Sequence, residues 1–276
     1  VAAATPGMTV CRDHASWCDA AATSRAADVA LSIDGQPLPG VCGLCGASAG
    51  FSAAIDHADA REGLACLACG CNARQRAVGG VLKQRMGGQP QARIHLTEHA
   101  SRLYLALRAI FPRMSGSEFV VSVAKRLRLS LWLLRQGVPE LVRHEDVTAL
   151  GFGTGTLDAL VSLDVLEHVP DASRAFVELA RVISPGGVFV GTVPFYEDAE
   201  ESRRVAELSS DGRIVFFGEP EYHGDPLGGG VPCFHHFGWS LLRDLRNAGF
   251  RDAAAHRVQD ADGGVPHGIW VIVAER

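Results

Sequence analysis

The sequence predicts an open α/β fold, a mostly parallel sheet with helices on both faces. Three observations predict it. Between residues 91 and 195, strand-like apolar runs alternate with runs of helical period. Leu157 to Leu163 reads as a strand buried on both faces, and Val188 to Val193 as a second strand rich in β-branched residues. Between them Asp171 can cap a helix carrying Phe176, Leu179, Ala180 and Ile183 on one face, closed by Ser184-Pro185-Gly186-Gly187.

The other elements follow in order. A helical stretch is expected near Asp19 to Leu31. Ala92 to Leu96 is a short strand. Ser101 to Phe111 has helical spacing, with Leu103, Leu107 and Ile110 on one face, and Pro112 stops it. Ser117 to Val121 is the next strand, Leu127 to Leu134 an apolar helix, and Asp146 to Leu150 a short extended piece. Gly151 to Gly155 (GFGTG) lacks the Lys-Ser/Thr of a phosphate loop and precedes a strand, so it reads as a turn. Trp239 to Ala248 is an amphipathic helix closed by Gly249, and Ile269 to Ala274 a last strand.

Composition narrows the function. The chain has 276 residues and a formal net charge of -5, with no Lys/Arg block. That is a poor electrostatic footprint for nucleic acid. No apolar run approaches the roughly 20 residues that span a bilayer. Val1 to Val10 lacks the positive start of a secretory signal, so a cytoplasmic protein is expected. Oligomeric state is not readable.

Eight cysteines are present, and paired CxxC spacing without an export signal points to metal rather than disulfides. Cys42-x2-Cys45 and Cys66-x2-Cys69 are separated by twenty residues. Four thiolates can enclose one Zn2+ tetrahedrally, with no open position, which makes the metal structural. Cys71 is close enough to take the place of Cys69. Cys11 and Cys18, with His14 nearby, read as free thiols.

The segment Asp158 to Pro194 carries LDVLEHV, then ELARVISPGG, then VFVGTVP. In that order and spacing it resembles the fourth strand, following helix and fifth strand of class I S-adenosylmethionine-dependent methyltransferases. The resemblance implies a Rossmann-like, seven-stranded sheet and S-adenosylmethionine as cofactor, with S-adenosylhomocysteine as product. It places Leu163, Asp164 and Val165 where the chain leaves the sheet, with Pro194 and Phe195 lining the same crevice. Glu167 and His168 would either shape the pocket or fix the turn.

The family's Gly-rich first loop is missing: the expected place reads RIHLTEHAS, so Glu98 takes the acidic role toward the methionine amino group. Glu118, in GSEFV, is placed to accept the ribose hydroxyls. HEDVTAL resembles the adenine-binding segment, with Asp146 facing the exocyclic amine and Val147 covering the ring. The cysteine knuckles, NARQRAV and PEYHGDPL resemble a narrower bacterial family with an N-terminal zinc-binding module. Asn72, Arg74 and Arg76 would dock that module or form a solvated helix face.

The expected organisation is an extension (1-40), a zinc-binding module (41-80) and a methyltransferase domain (81-276) with a lid at 196-238. Long irregular segments tend to be lids or binding loops. This one holds Tyr222, His223, Asp225, His235 and His236, the candidates for the acceptor site. The expected reaction is O-methylation of a small-molecule or glycan-type acceptor, with His223 or His235 as general base. The alternatives are a cofactor-binding protein without catalysis, and a nucleic-acid or protein methyltransferase that uses the zinc module for recognition.

Overall fold

The computed structural model describes residues 7–29, 36–53, 59–224 and 230–276. Its strands are β1 (Met8–Cys11), β2 (Phe51–Ala53), β3 (Leu64–Cys66), β4 (Ile94–Leu96), β5 (Ser115–Glu118), β6 (Arg143–His144), β7 (Leu157–Leu163) and β8 (Ile183–Thr192). These are followed by β9 (Arg203–Arg204), β10 (Ala206–Leu208), β11 (Ile214–Phe216), β12 (Tyr222–His223), β13 (Val231–Pro232), β14 (His235–His236), β15 (Asp252–Asp260) and β16 (Val265–Glu275). The helices are α1 (His14–Ala26), α2 (Ala60–Gly63), α3 (Ala73–Met86), α4 (Arg102–Arg108), α5 (Val123–Arg135), α6 (Ala172–Val182) and α7 (Ser240–Asn247).

One eight-stranded sheet organises the chain, in the order β1-β15-β16-β8-β7-β4-β5-β6. The strands from β8 to β6 pair in parallel, and β16, β15 and β1 add antiparallel. Side chains alternate across the sheet. Ala159, Val161, Val271 and Val273 join one apolar layer, which also takes in Leu82 of α3 and Leu103 of α4. Leu160, Phe189, Ile272 and Ala274 face the other, filled by α6 and α7. Strand order reverses between β4 and β7, the position at which open α/β sheets form a crevice beyond the carboxyl ends of the strands.

Several expectations shift. β1 adds an eighth strand to the seven expected, and β15 was not foreseen because its Ala-rich start has weak strand character. The second strand of the parallel half ends at Glu118 rather than Val121, and Phe119 and Val121 are exposed beyond it. Asp146 to Leu150 is not extended: the Asp146 carboxylate accepts the Thr148 N–H at 2.8 Å and forms a turn, and the strand lies earlier, at β6. Ile183 opens β8 instead of closing α6. Ser184 to Gly187 runs on within that strand because Arg276, at the chain's end, bonds back to Gly186 and Gly187. The helix expected near Asp19 to Leu31 runs from His14 to Ala26. The described residues of the 196–238 segment form three two-stranded ladders, β10-β11, β12-β13 and β14-β9.

Asp171 does cap α6, accepting the Arg174 N–H at 3.1 Å, and Gly249, at φ +117, follows the end of α7. The helix buries Phe176 and Leu179 on its inner face.

The cysteine region is bolted to the sheet by α3. Asn72 caps this helix through a reciprocal pairing with Gln75. Arg76 is buried, donates to the carbonyls of Cys71 and Gly264, and lies 4.5 Å from the Phe51 ring. One guanidinium thus ties the second knuckle to the loop before β16. Replacing Arg76 with Leu removes both of these bonds, leaving the Cys71 carbonyl only its Cys66 N–H, and the expected loss is about 2–4 kcal/mol by urea denaturation. Arg76→Lys should recover only part, since an ammonium cannot fork to both carbonyls and stack on a ring. A wild-type midpoint for Arg76→Leu would count against this coupling.

Candidate active site

The loop after β4 does without glycines because side chains brace it. The Ala100 N–H donates to Glu118 Oε1 at 2.8 Å, and Ser101 Oγ donates to the Glu98 carbonyl at 2.8 Å. Ser101 then caps α4 by accepting the Tyr104 N–H. His99 packs over Gly116, where a Cβ would come within 2.7 Å of its ring. Its Nε2 bonds Glu140, which also accepts from Tyr104 and Arg108. Glu118 therefore gives one oxygen to the loop and keeps the other for the crevice.

Glu98 is turned inward, and its Oε2 has no partner. Burial raises its pKa to about 7, against the opposing pull of Arg74. Burial likewise raises Glu118 to about 7.

Across the crevice, β7 is followed by Asp164, the only non-glycine with positive φ (+48) among the described residues. Arg61, on α2, donates to both Asp164 oxygens at 2.7 and 3.0 Å. Arg74 lies 3.5 Å from the same carboxylate and bonds Glu62 at 2.7 and 3.2 Å. Burial opposes ionisation of Asp164, but the two guanidinium groups outweigh it and hold its pKa below the usual range. Arg74 Nη1 is buried and unpaired. Residues from the cysteine region thus form one wall of the crevice. Sequence reasoning placed Arg74 in docking and missed Arg61 and Glu62, which lie between the knuckles with no motif around them.

The remaining expected cofactor residues divide. Leu163 is buried in the sheet, and Val165 sits beside the opposite apolar layer. Asp146 spends one oxygen on its own turn, and Val147 is buried next to it.

The lid candidates also separate. His235 Nε2 donates to the Val169 carbonyl at 3.0 Å, and its ring stacks on Phe237. It lines a groove of about 430 Å³ with Phe176, Arg203 and Arg204, apart from the strand ends. Tyr222 is exposed. His236 bonds Glu221 at 2.6 Å and stacks on Tyr196. Asp225 lies outside the described residues. His223 lies beside the turn after β7, with Nδ1 3.9 Å from Glu167. Glu167 and His168, left undecided by the sequence, lie beside it.

The sulfurs of Cys42, Cys45, Cys66 and Cys69 converge within 4.8 Å of one another, with Cys42–Cys69 and Cys45–Cys66 each at 3.9 Å. Tetrahedral Zn2+ with bonds of about 2.3 Å needs sulfurs about 3.8 Å apart, so the set fits the ion. Gly46 and Gly70, at φ +75 and +72, make the knuckle turns. Cys71 stays outside the cluster and offers its carbonyl to Cys66 N–H and to Arg76.

Residues 115–191 match a family described as "Methyltransferase domain". The match spans β5 to β8, whose ends frame the crevice. Over 90 residues the chain is 33% identical to the ubiquinone biosynthesis O-methyltransferase of Thiobacillus denitrificans, covering 32% of this chain and 38% of that one. Over 86 residues it is 28% identical to a "Probable S-adenosylmethionine-dependent methyltransferase" of Mycolicibacterium smegmatis, covering 29% and 34%. The chain thus spans little more than a third of the length of these relatives. An S-adenosylmethionine-dependent methyltransferase from Mesorhizobium loti aligns with a TM-score of 0.46 and 18% identity, over 72% of this chain and 98% of that one.

The Glu98 environment has a pH signature. Its folded pKa lies above its ordinary value, so the fold favours the protonated acid. That stabilisation is complete below about 4.5 and is lost as pH rises through about 7. Glu98→Gln should flatten the fall in urea midpoint between about pH 5 and about pH 8. An equally steep fall in the variant would refute the assignment.

Proposed function

We propose that this chain is an S-adenosylmethionine-dependent methyltransferase that methylates an oxygen of a small-molecule or glycan-type acceptor. One observation carries the reading: the methyltransferase-domain match falls on strands whose carboxyl ends meet at a crevice walled by inward-facing charged groups. The first curated relative, an O-methyltransferase of a small molecule by its name, supports the choice of acceptor and atom.

The residues present fit the cofactor. The free oxygen of Glu118 suits the ribose hydroxyls, and Glu98 Oε2 suits the methionine ammonium. The spare Nη1 of Arg74 suits the methionine carboxylate, a contact that would hold that end without a glycine loop. Val147, with Asp146 beside it, borders the adenine region, and Leu163, Asp164 and Val165 form the floor. When bound, S-adenosylmethionine supplies a methyl group on a sulfonium, open to in-line attack.

The protein positions the acceptor and manages its proton. His223 is the lid residue suited to that task, because it faces the Glu167 pocket. Tyr222 and Asp225 remain candidates for holding the acceptor. His235 orders the lid through Val169. His223→Ala should reduce turnover at least tenfold with cofactor affinity unchanged, whereas His235→Ala should leave turnover within about threefold. Single-turnover transfer and calorimetric cofactor binding separate the two effects, and unchanged turnover in His223→Ala would remove it from the chemistry.

The cysteine set is proposed to hold one structural Zn2+ in a cytoplasmic, reducing setting; the eight cysteines are all unpaired. No helix among the described residues is long and apolar enough to cross a membrane. One zinc per chain is expected by elemental analysis. Its removal should weaken cofactor binding, because Arg61 and Arg74 flank the knuckles. Full cofactor affinity after complete chelation would break that link.

A further inference from the structure

We propose that Glu167, His168 and His223 form a second metal site, taking a divalent transition ion through one carboxylate oxygen and two imidazole nitrogens. Glu167 is fully buried, yet neither of its carboxylate oxygens has a hydrogen-bond partner. A buried orphan carboxylate is costly and calls for a positive group. Its Oε1 lies 3.7 Å from His168 Nε2 and 3.9 Å from His223 Nδ1. All three ligand atoms fall within 4.8 Å of one another. These gaps are too long for hydrogen bonds. Around an ion with bonds of about 2.1 Å, neighbouring ligands stand about 3.0–3.4 Å apart, which small side-chain rotations reach here.

The outer contacts aim the rings. His168 Nδ1 lies 2.9 Å from the Pro232 carbonyl, which can only accept, so Nδ1 carries the proton and Nε2 faces inward as a lone pair. His223 Nε2 lies 3.0 Å from the Glu221 carboxylate, which leaves its Nδ1 lone pair facing the same point. Metal-bound histidines are commonly oriented this way, with the far nitrogen donating to a carbonyl or carboxylate. The rings meet edge to face, with centroids 4.9 Å apart. Two imidazoles and one carboxylate suit Zn2+, Fe2+, Co2+ or Mn2+ and leave coordination positions open.

The site follows the turn that leaves β7, one element from Asp164. It rests on the methyltransferase reading only for its use. There the open positions would take the acceptor's oxygen and make its hydroxyl more acidic, so that His223 would serve the acceptor's proton through the ion it helps to hold, and the proton would leave to solvent. Binding of the ion itself does not depend on that reading.

The test is a Co2+ titration of the full chain, followed by absorption and calorimetry. The cysteine set reports through intense sulfur-to-metal charge-transfer bands, and the proposed site through weak visible bands alone. One equivalent of the second kind is expected, weakened at least tenfold in Glu167→Gln and in His223→Ala. His223 belongs to the partly exposed lid, so its removal tests the site even where Glu167→Gln fails to fold. The proposal is overturned if the wild type takes Co2+ only with sulfur bands, or if His223→Ala binds it as the wild type does. S-adenosylmethionine binding on the same samples tells the two readings apart: Co2+ held by the wild type and lost in the variants supports the site even where no cofactor binds.

Discussion

The crevice depends on the ion pairing that fixes Asp164. The chain must turn sharply as it leaves β7, and Asp164 takes the left-handed backbone conformation to do so. That conformation is uncommon outside glycine, though Asp and Asn tolerate it best. The bidentate grip of Arg61, with Arg74 beside it, holds the carboxylate there. Both arginines belong to the segment that brings the cysteines. Remove that segment and the carboxylate stays behind without its counter-charges. The cysteine region is therefore part of the crevice wall as well as an appendage to the sheet.

The same logic accounts for a first loop with no glycines. A glycine-rich turn lets backbone approach a ligand closely. Here the backbone is instead braced by Glu118, Ser101 and the His99–Glu140 contact, and the polar work passes to side chains. The unpaired atoms left behind, Glu98 Oε2 and Arg74 Nη1, belong to an acid and a base, the pair that the proposed contacts to the two ends of an amino acid use. The 196–238 segment packs against the turn after β7. Its short ladders hold His235 on Val169 and His236 on Tyr196 and Glu221, and leave His223 beside Glu167.

Much of the fold was legible because local pattern and tertiary role coincide. Leu157 to Leu163 is apolar because it is the buried strand beside the switch point, and Asp171 caps α6 because the free N–H groups of the helix's first turn need a side-chain acceptor. The misplacements occurred where long-range pairing overrides local preference. Ser184 to Gly187 looks like a terminator, yet it becomes strand because the chain's last residue pairs with it. Asp146 to Leu150 looks extended, yet a side chain two residues away claims its backbone. β15 hid in an alanine-rich run whose burial comes from its neighbours β1 and β16.

By itself the sequence determined the kind of sheet, the resemblance to methyltransferases, the cysteine spacing and the carboxylates at the ends of β4, β5 and β7. Those depend on residue type and short-range spacing. Only the tertiary structure decided that Arg61, Glu62 and Arg74 stand in the crevice, that Cys71 lies outside the sulfur cluster, and which lid histidine faces inward. It alone brought Glu167 and His168 to His223, more than fifty residues downstream. The reason is physical: the direction of a charged side chain is set by the partners that repay its desolvation, and here those partners come from distant segments.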